Sequence, residues 1–180
     1  MTFPALPAVV RDVLALIARI GLGAVVLAHG WQKIFDWTIA GTQAGFEGMG
    51  APAPTVTAWI AAIIEFVGGI LILAGAFQPI VGIIVALQMA AAWAIAHTGA
   101  GMFVGDGGPE LVIAIGAGAL FMAALGSGRF SVDAVLASRR AGRTGDADAA
   151  SATTGNATRV RAYSADVCRR PWVPSRMNGR

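Results

Sequence analysis

Four apolar stretches, separated by short breaks rich in glycine, proline and polar residues, fill most of the first 125 positions of the chain. The first, Val13 to Phe35, is long enough at about 1.5 Å per residue to cross a hydrocarbon core of about 30 Å. The second runs from Thr57 to Phe77, after a loop whose Gly50, Pro52 and Pro54 are poor helix residues. Pro79 sets the break before the third, Ile80 to His97, and so short a turn makes these two helices antiparallel neighbours. The fourth, Pro109 to Leu125, opens on a proline that suits the first turn of a helix. The pattern predicts an all-α, four-transmembrane-helix bundle over residues 1–138, followed by a tail, 139–180, whose early Ala, Gly, Thr, Ser and Asp cannot bury enough apolar surface to order it.

Composition agrees with that pattern: 56% of residues are hydrophobic and 13% charged, against about 25% charged in soluble domains. A secretory signal is the rival reading of the first stretch. Its length, and the His-Gly-Trp-Gln-Lys that follows where a small-residue cleavage site would stand, favour a retained helix.

Charge is divided along the chain. Through Ser138 four basic residues stand against seven acidic ones, whereas from Arg139 onward nine arginines stand against three aspartates. A basic tail is suited to anionic lipid, and no folded recognition motif accompanies it, so nucleic acid is not an expected partner. Arg11 before the first span, and Arg129, Arg139, Arg140 and Arg143 after the last, predict both termini on the cytoplasmic side. The loops Asp36 to Val56 and Thr98 to Gly108, which carry acidic residues but no Lys or Arg, then lie outside. The single cysteine, Cys168, falls in the tail and allows no internal disulfide.

Small residues recur in the spans, and Gly30, Gly68, Gly69 and Gly75 are candidates for close helix packing. The informative residues are those that hydrocarbon disfavours: Arg19, His29, Gln32 and Lys33 in span one, Glu65 in span two, Gln88 and His97 in span three, and Glu110 opening span four. Each costs a few kcal/mol if it faces lipid. Arg19, His29 and Lys33 fall within about 80° of one another around their helix. Walking inward from the expected outer boundary puts Lys33 about 3 Å, His29 about 9 Å and Glu65 about 12 Å deep. His97 and Glu110 fall at the rim, and Arg19 stands apart at about 24 Å, near the inner side.

Arg19, His29, Lys33, Glu65, His97 and Glu110 are therefore the polar-pocket candidates. A Lys33 or His29 pairing with Glu65 is the expected electrostatic solution. Three uses of such a set stay open: ion pairs that only lock helix register, a ligand or proton-handling site, and snorkelling of Lys33 and His97 to water. No metal site is expected, because the histidines and carboxylates lack ligand spacing. Trp31, Trp37, Trp59 and Trp93 fit an interfacial aromatic belt better than a quinone-stacking site.

Several motifs in fixed order resemble the DoxX family: Ala28-His29-Gly30-Trp31-Gln32-Lys33-Ile34-Phe35 after Arg19, Gly48-Met49-Gly50-Ala51-Pro52, and Glu65-Phe66-Val67-Gly68-Gly69 with Gly75 beyond it. His97 ahead of Gly101-Met102-Phe103, Glu110, and the closing Gly126-Ser127-Gly128-Arg129-Phe130-Ser131-Val132-Asp133 continue the likeness, which covers about Ala8 to Leu136. Gln78 departs from the pattern, where a basic residue is common. The resemblance implies a four-helix protein of the bacterial plasma (inner) membrane with redox associations. Relatives include a small subunit of thiosulfate:quinone oxidoreductase and a membrane component joining superoxide dismutase and a sulfurtransferase. It implies a non-catalytic subunit that anchors or couples soluble oxidoreductases, with quinone as the cofactor to consider. His29 and Lys33 would supply protons, Glu65 would balance their charge, and Arg19 would bind an anion or pair near the inner face. A small-solute transporter or channel and a purely structural membrane protein are the alternatives, and a homo-oligomer is allowed.

Overall fold

The computed structural model describes residues 6–141. Among them there is no strand, and five helices of eleven residues or more follow in order: α1 (Ala8–Trp31), α2 (Thr38–Gly48), α3 (Pro54–Ala74), α4 (Gln78–Ala96) and α5 (Glu110–Leu125). A π-helical turn, Gln32–Asp36, extends α1, and a 3₁₀ turn, Val104–Asp106, lies between α4 and α5. The chain divides into two compact units, Met1–Leu136 and Ala137–Arg180. Residues 132–136 close the first unit as a helix, and 137–141, the described part of the second, are also helical. The expected tail beyond residue 141, with Cys168, lies outside the described residues.

Among the described residues, three helices are long and apolar enough to cross a membrane: Ala8–Asp36, Pro54–Ala74 and Gln78–Ala96. With 16 residues, α5 rises only about 24 Å. Beyond Glu110 its composition is apolar throughout, but its length does not make it a fourth span.

The predicted boundaries need correction in several places. α1 begins at Ala8 rather than Val13, taking Arg11 and Asp12 into its first turns. α3 and α4 both start earlier than predicted, and Pro79 lies in the first turn of α4 instead of breaking the chain. The reversal is made by Gly75 and Phe77, at φ 68° and 53°, left-handed values that glycine adopts freely and phenylalanine rarely. Pro109 is the N-cap of α5, one place before the helix. The largest omission is α2, which occupies most of the expected loop Asp36 to Val56. Gly41, Gly45 and Gly48 lower its helix propensity, and it holds by packing on α3, which the sequence pattern does not register.

Packing sets up the site. α1 lies along α3 and α4 along α5, and these two pairs touch each other less extensively. Gly30 and Gly69 allow the first pairing: a methyl at Gly30 would run into the Phe66 backbone, and one at Gly69 would sit 2.5 Å from Leu27 N. At Gly68, by comparison, a methyl would meet Val85 at an ordinary 3.4 Å. Gly82 performs for α4 and α5 what Gly69 performs for α1 and α3, since a methyl there would sit 2.5 Å from Ala119 O. Between the pairs lies an apolar core of Val26, Ile72, Val81, Val85, Met89, Ile115 and Ala119.

Candidate functional site

At one end of this core, α1 gives way to the π-helical turn that carries Lys33. Trp37 N donates to Gln32 O at 2.9 Å across five residues, and the buried Thr42 hydroxyl of α2 donates to Lys33 O at 2.8 Å. Single π turns inside helices are frequent at functional sites because they re-aim the side chains they carry. Thr38, just beyond, has φ 59°, a strained value for a β-branched residue, and α2 folds back from it.

Lys33 Nζ meets Glu65 Oε2 at 2.5 Å, with the two side chains 13% and 6% exposed. Glu65 Oε1 accepts from Gln88 Nε2 at 2.7 Å. A lysine from the first helix, a carboxylate from α3 and an amide from α4 thus form one chain across the seam between the helix pairs. Gln88 stands in the sequence as a polar residue of span three, and its role as the third member follows from the lateral packing of α3 on α4.

A cavity of about 700 Å³ opens on this chain. Lys33, Glu65 and Gln88 line it together with His29, Gln32 and His97, and the remaining wall is largely apolar, drawn from every helix. His97 and Glu110 do not join the ion pair. His97 Nδ1 lies 2.7 Å from Gly107 O, and Glu110 Oε1 accepts from Val104 N at 2.9 Å, so both fasten the α4–α5 connection.

Arg19, expected to bind an anion or pair near the inner face, is enclosed by backbone. Its Nη1 donates to Ser127 O at 2.9 Å and its Nη2 to Phe130 O at 2.6 Å, and the residue is 3% exposed. A methyl at Gly75 would overlap Arg19 Nη1, so the αL turn and the guanidinium share one space. Asp133, absent from the sequence-level candidates, accepts from Phe77 N at 2.8 Å and Gln78 N at 3.1 Å. It caps α4 and holds the strained Phe77 in place. Its own N–H donates to Gly75 O at 3.1 Å. The aspartate two residues after a serine, closing a glycine-rich segment, was the available signal for this cap.

Long apolar helices whose charged side chains turn toward one another define an integral helical membrane protein. The DoxX family model matches residues 14–98, in agreement with the resemblance carried by the motifs of α1 and α3. Arg19, Lys33, Glu65 and Gln88 fall inside the match, whereas Glu110 and the 126–133 segment lie beyond it. Comparisons with curated proteins and with solved structures gave no match.

Proposed function

We propose that the protein is a redox-associated membrane subunit that binds an amphipathic ligand of quinone type in the cavity floored by Lys33, Glu65 and Gln88, and couples it to soluble oxidoreductase partners. The observation that carries this reading is the cavity: its volume lies within the range of small-molecule sites, which combine apolar walls with a few convergent polar groups. In this reading Lys33 donates to an oxygen of the head group, Glu65 holds the ammonium in place, and His29 is the neighbouring proton donor. α5 completes a four-helix membrane bundle, both termini face the cytoplasm, and the cavity faces the outer half of the bilayer of a bacterial plasma membrane. Superoxide dismutase and a sulfurtransferase are the partners that the DoxX resemblance suggests.

A solute path, the second reading, has less support, because Val26, Ile72 and Val85 fill the layer between Glu65 and Arg19 and are 1% exposed or less. Purification of the chain in native membrane, identification of co-purifying proteins and assay of quinone reduction test the proposal. A complex with a soluble oxidoreductase that reduces quinone is expected. Recovery of the chain alone, inert toward quinone and without affinity for it, would sink the idea.

A further inference from the structure

Hydrogen-bonding capacity in the cavity is used unevenly. Both oxygens of Glu65 have partners, Oε2 with Lys33 and Oε1 with Gln88 Nε2. An ion-paired carboxylate only accepts, so Gln88 must turn its NH₂ toward Glu65, and this fixes which way the amide faces. The same NH₂ reaches Ala61 O at 3.5 Å, giving each of its hydrogens an acceptor. Gln88 Oε1 is buried and, among the described residues, receives no hydrogen bond.

A second acceptor is left over at His97. A backbone carbonyl only accepts, so the 2.7 Å contact with Gly107 O puts a hydrogen on Nδ1. In the neutral ring that leaves the lone pair on Nε2. Against these two acceptors stands Lys33, whose ammonium has three hydrogens and gives one to Glu65. All three residues line the cavity, and its apolar walls favour an organic group over water as the missing donor.

We infer that the cavity selects amphiphiles whose polar head carries a hydroxyl, as in a phenol or hydroquinone, over the same skeleton carrying only carbonyl oxygens. This rests on the ligand-binding reading above and adds the hydrogen-bonding character, and for a quinone the redox state, of the head group. A hydroxyl oxygen accepts from Lys33 Nζ while its hydrogen goes to His97 Nε2, or to Gln88 Oε1 once the amide turns to present it. A carbonyl head satisfies Lys33 and leaves the buried Gln88 Oε1 bare, and unpaired buried polar groups are what sites discriminate against most strongly. A hydroquinone and a long-chain alcohol share this chemistry.

The test uses the full chain in lipid nanodiscs and calorimetric titration against empty nanodiscs. The ligands are a decyl-substituted hydroquinone kept reduced without oxygen, the matching benzoquinone, the hydroquinone with both hydroxyls methylated, and dodecanol. The hydroquinone is expected to bind about tenfold more tightly than either the quinone or the dimethyl ether, the size of one good hydrogen bond. Gln88→Leu should remove most of that difference. Dodecanol binding as tightly as the hydroquinone also supports selection for hydroxyl and names lipid alcohols as the source. Equal affinities for the hydroquinone, quinone and ether overturn the inference and leave the ligand site standing. Absence of binding by all four overturns both. The ligand series on the unaltered chain decides the matter even if Gln88→Leu fails to fold.

Discussion

The two ends of the helix bundle each bury a cation of the first helix, and they resolve it in opposite ways. Arg19 is closed in by two backbone carbonyls of the 126–131 segment, with Gly75 vacating the space its guanidinium occupies. Lys33 is met by a side-chain carboxylate, itself held by an amide from another helix, beside a cavity of about 700 Å³. Where the chain spends carbonyls and tight turns on a charge, it builds a fastening. Where it uses side chains next to open volume, binding capacity is left over. Burial of a charge is thus no guide to function until its partners are known.

The sharpest way to break this contrast is Glu65→Ala, which leaves Lys33 buried without its counter-charge. Removing one partner of a buried pair costs about 3–5 kcal/mol, so the yield of monodisperse protein after detergent extraction should collapse. Lys33→Met combined with Glu65→Leu should recover much of that yield, because an apolar pair of similar volume removes both desolvation penalties. Unchanged yield and assembly for Glu65→Ala alone would show the pair is not structural.

Gly75→Ala ranks next. The added methyl overlaps Arg19 Nη1, and the residue sits at φ 68°, so overpacking and backbone strain together should cost about 2–4 kcal/mol. Thermal unfolding in detergent reads this as a lower midpoint. Ligand affinity of the protein that remains folded should be unchanged, since the change lies at the fastened end. Loss of affinity at full folding would join the two ends into one functional unit.

Asp133→Asn should be milder. The amide keeps one acceptor oxygen where the carboxylate offers two, so one of the N–H groups of Phe77 and Gln78 loses its partner. The loss of charge at a helix N-terminus adds to this, for a total of about 1–2 kcal/mol. Hydrogen exchange at Phe77 and Gln78 should rise before any global change in unfolding. Exchange equal to that of the unaltered chain would show that the turn holds itself.

What the sequence made legible follows the same division. A pairing of Lys33 or His29 with Glu65 follows from charge and depth, and Lys33 is the one that makes it. Gln88 was visible as a polar residue in a span, but its contact with Glu65 depends on the lateral seating of α4 on α3, which periodicity does not carry. The partners of Arg19 were not legible because they are backbone carbonyls, groups that every residue has and no side-chain pattern marks. α2 escaped for a related reason: its glycines and threonines read as loop, and its stability comes from α3 and from the Thr42 bond to Lys33 O.

The smallest expected effect comes from a second, more exposed ion pair. Arg129 belongs to the glycine-rich closing motif, and its Nε stands 4.0 Å from Oδ2 of the buried Asp12. Its side chain is 76% exposed, so water and salt screen the attraction, and such pairs contribute between about 0 and 1 kcal/mol. Arg129→Ala should therefore shift the unfolding midpoint by no more than a degree or two, on the order of 0.5 kcal/mol, and less still in high salt. A drop as large as that of Gly75→Ala would mean that the fastened end relies on charge after all, and that carbonyl enclosure of Arg19 is not what holds the 126–131 segment to α1.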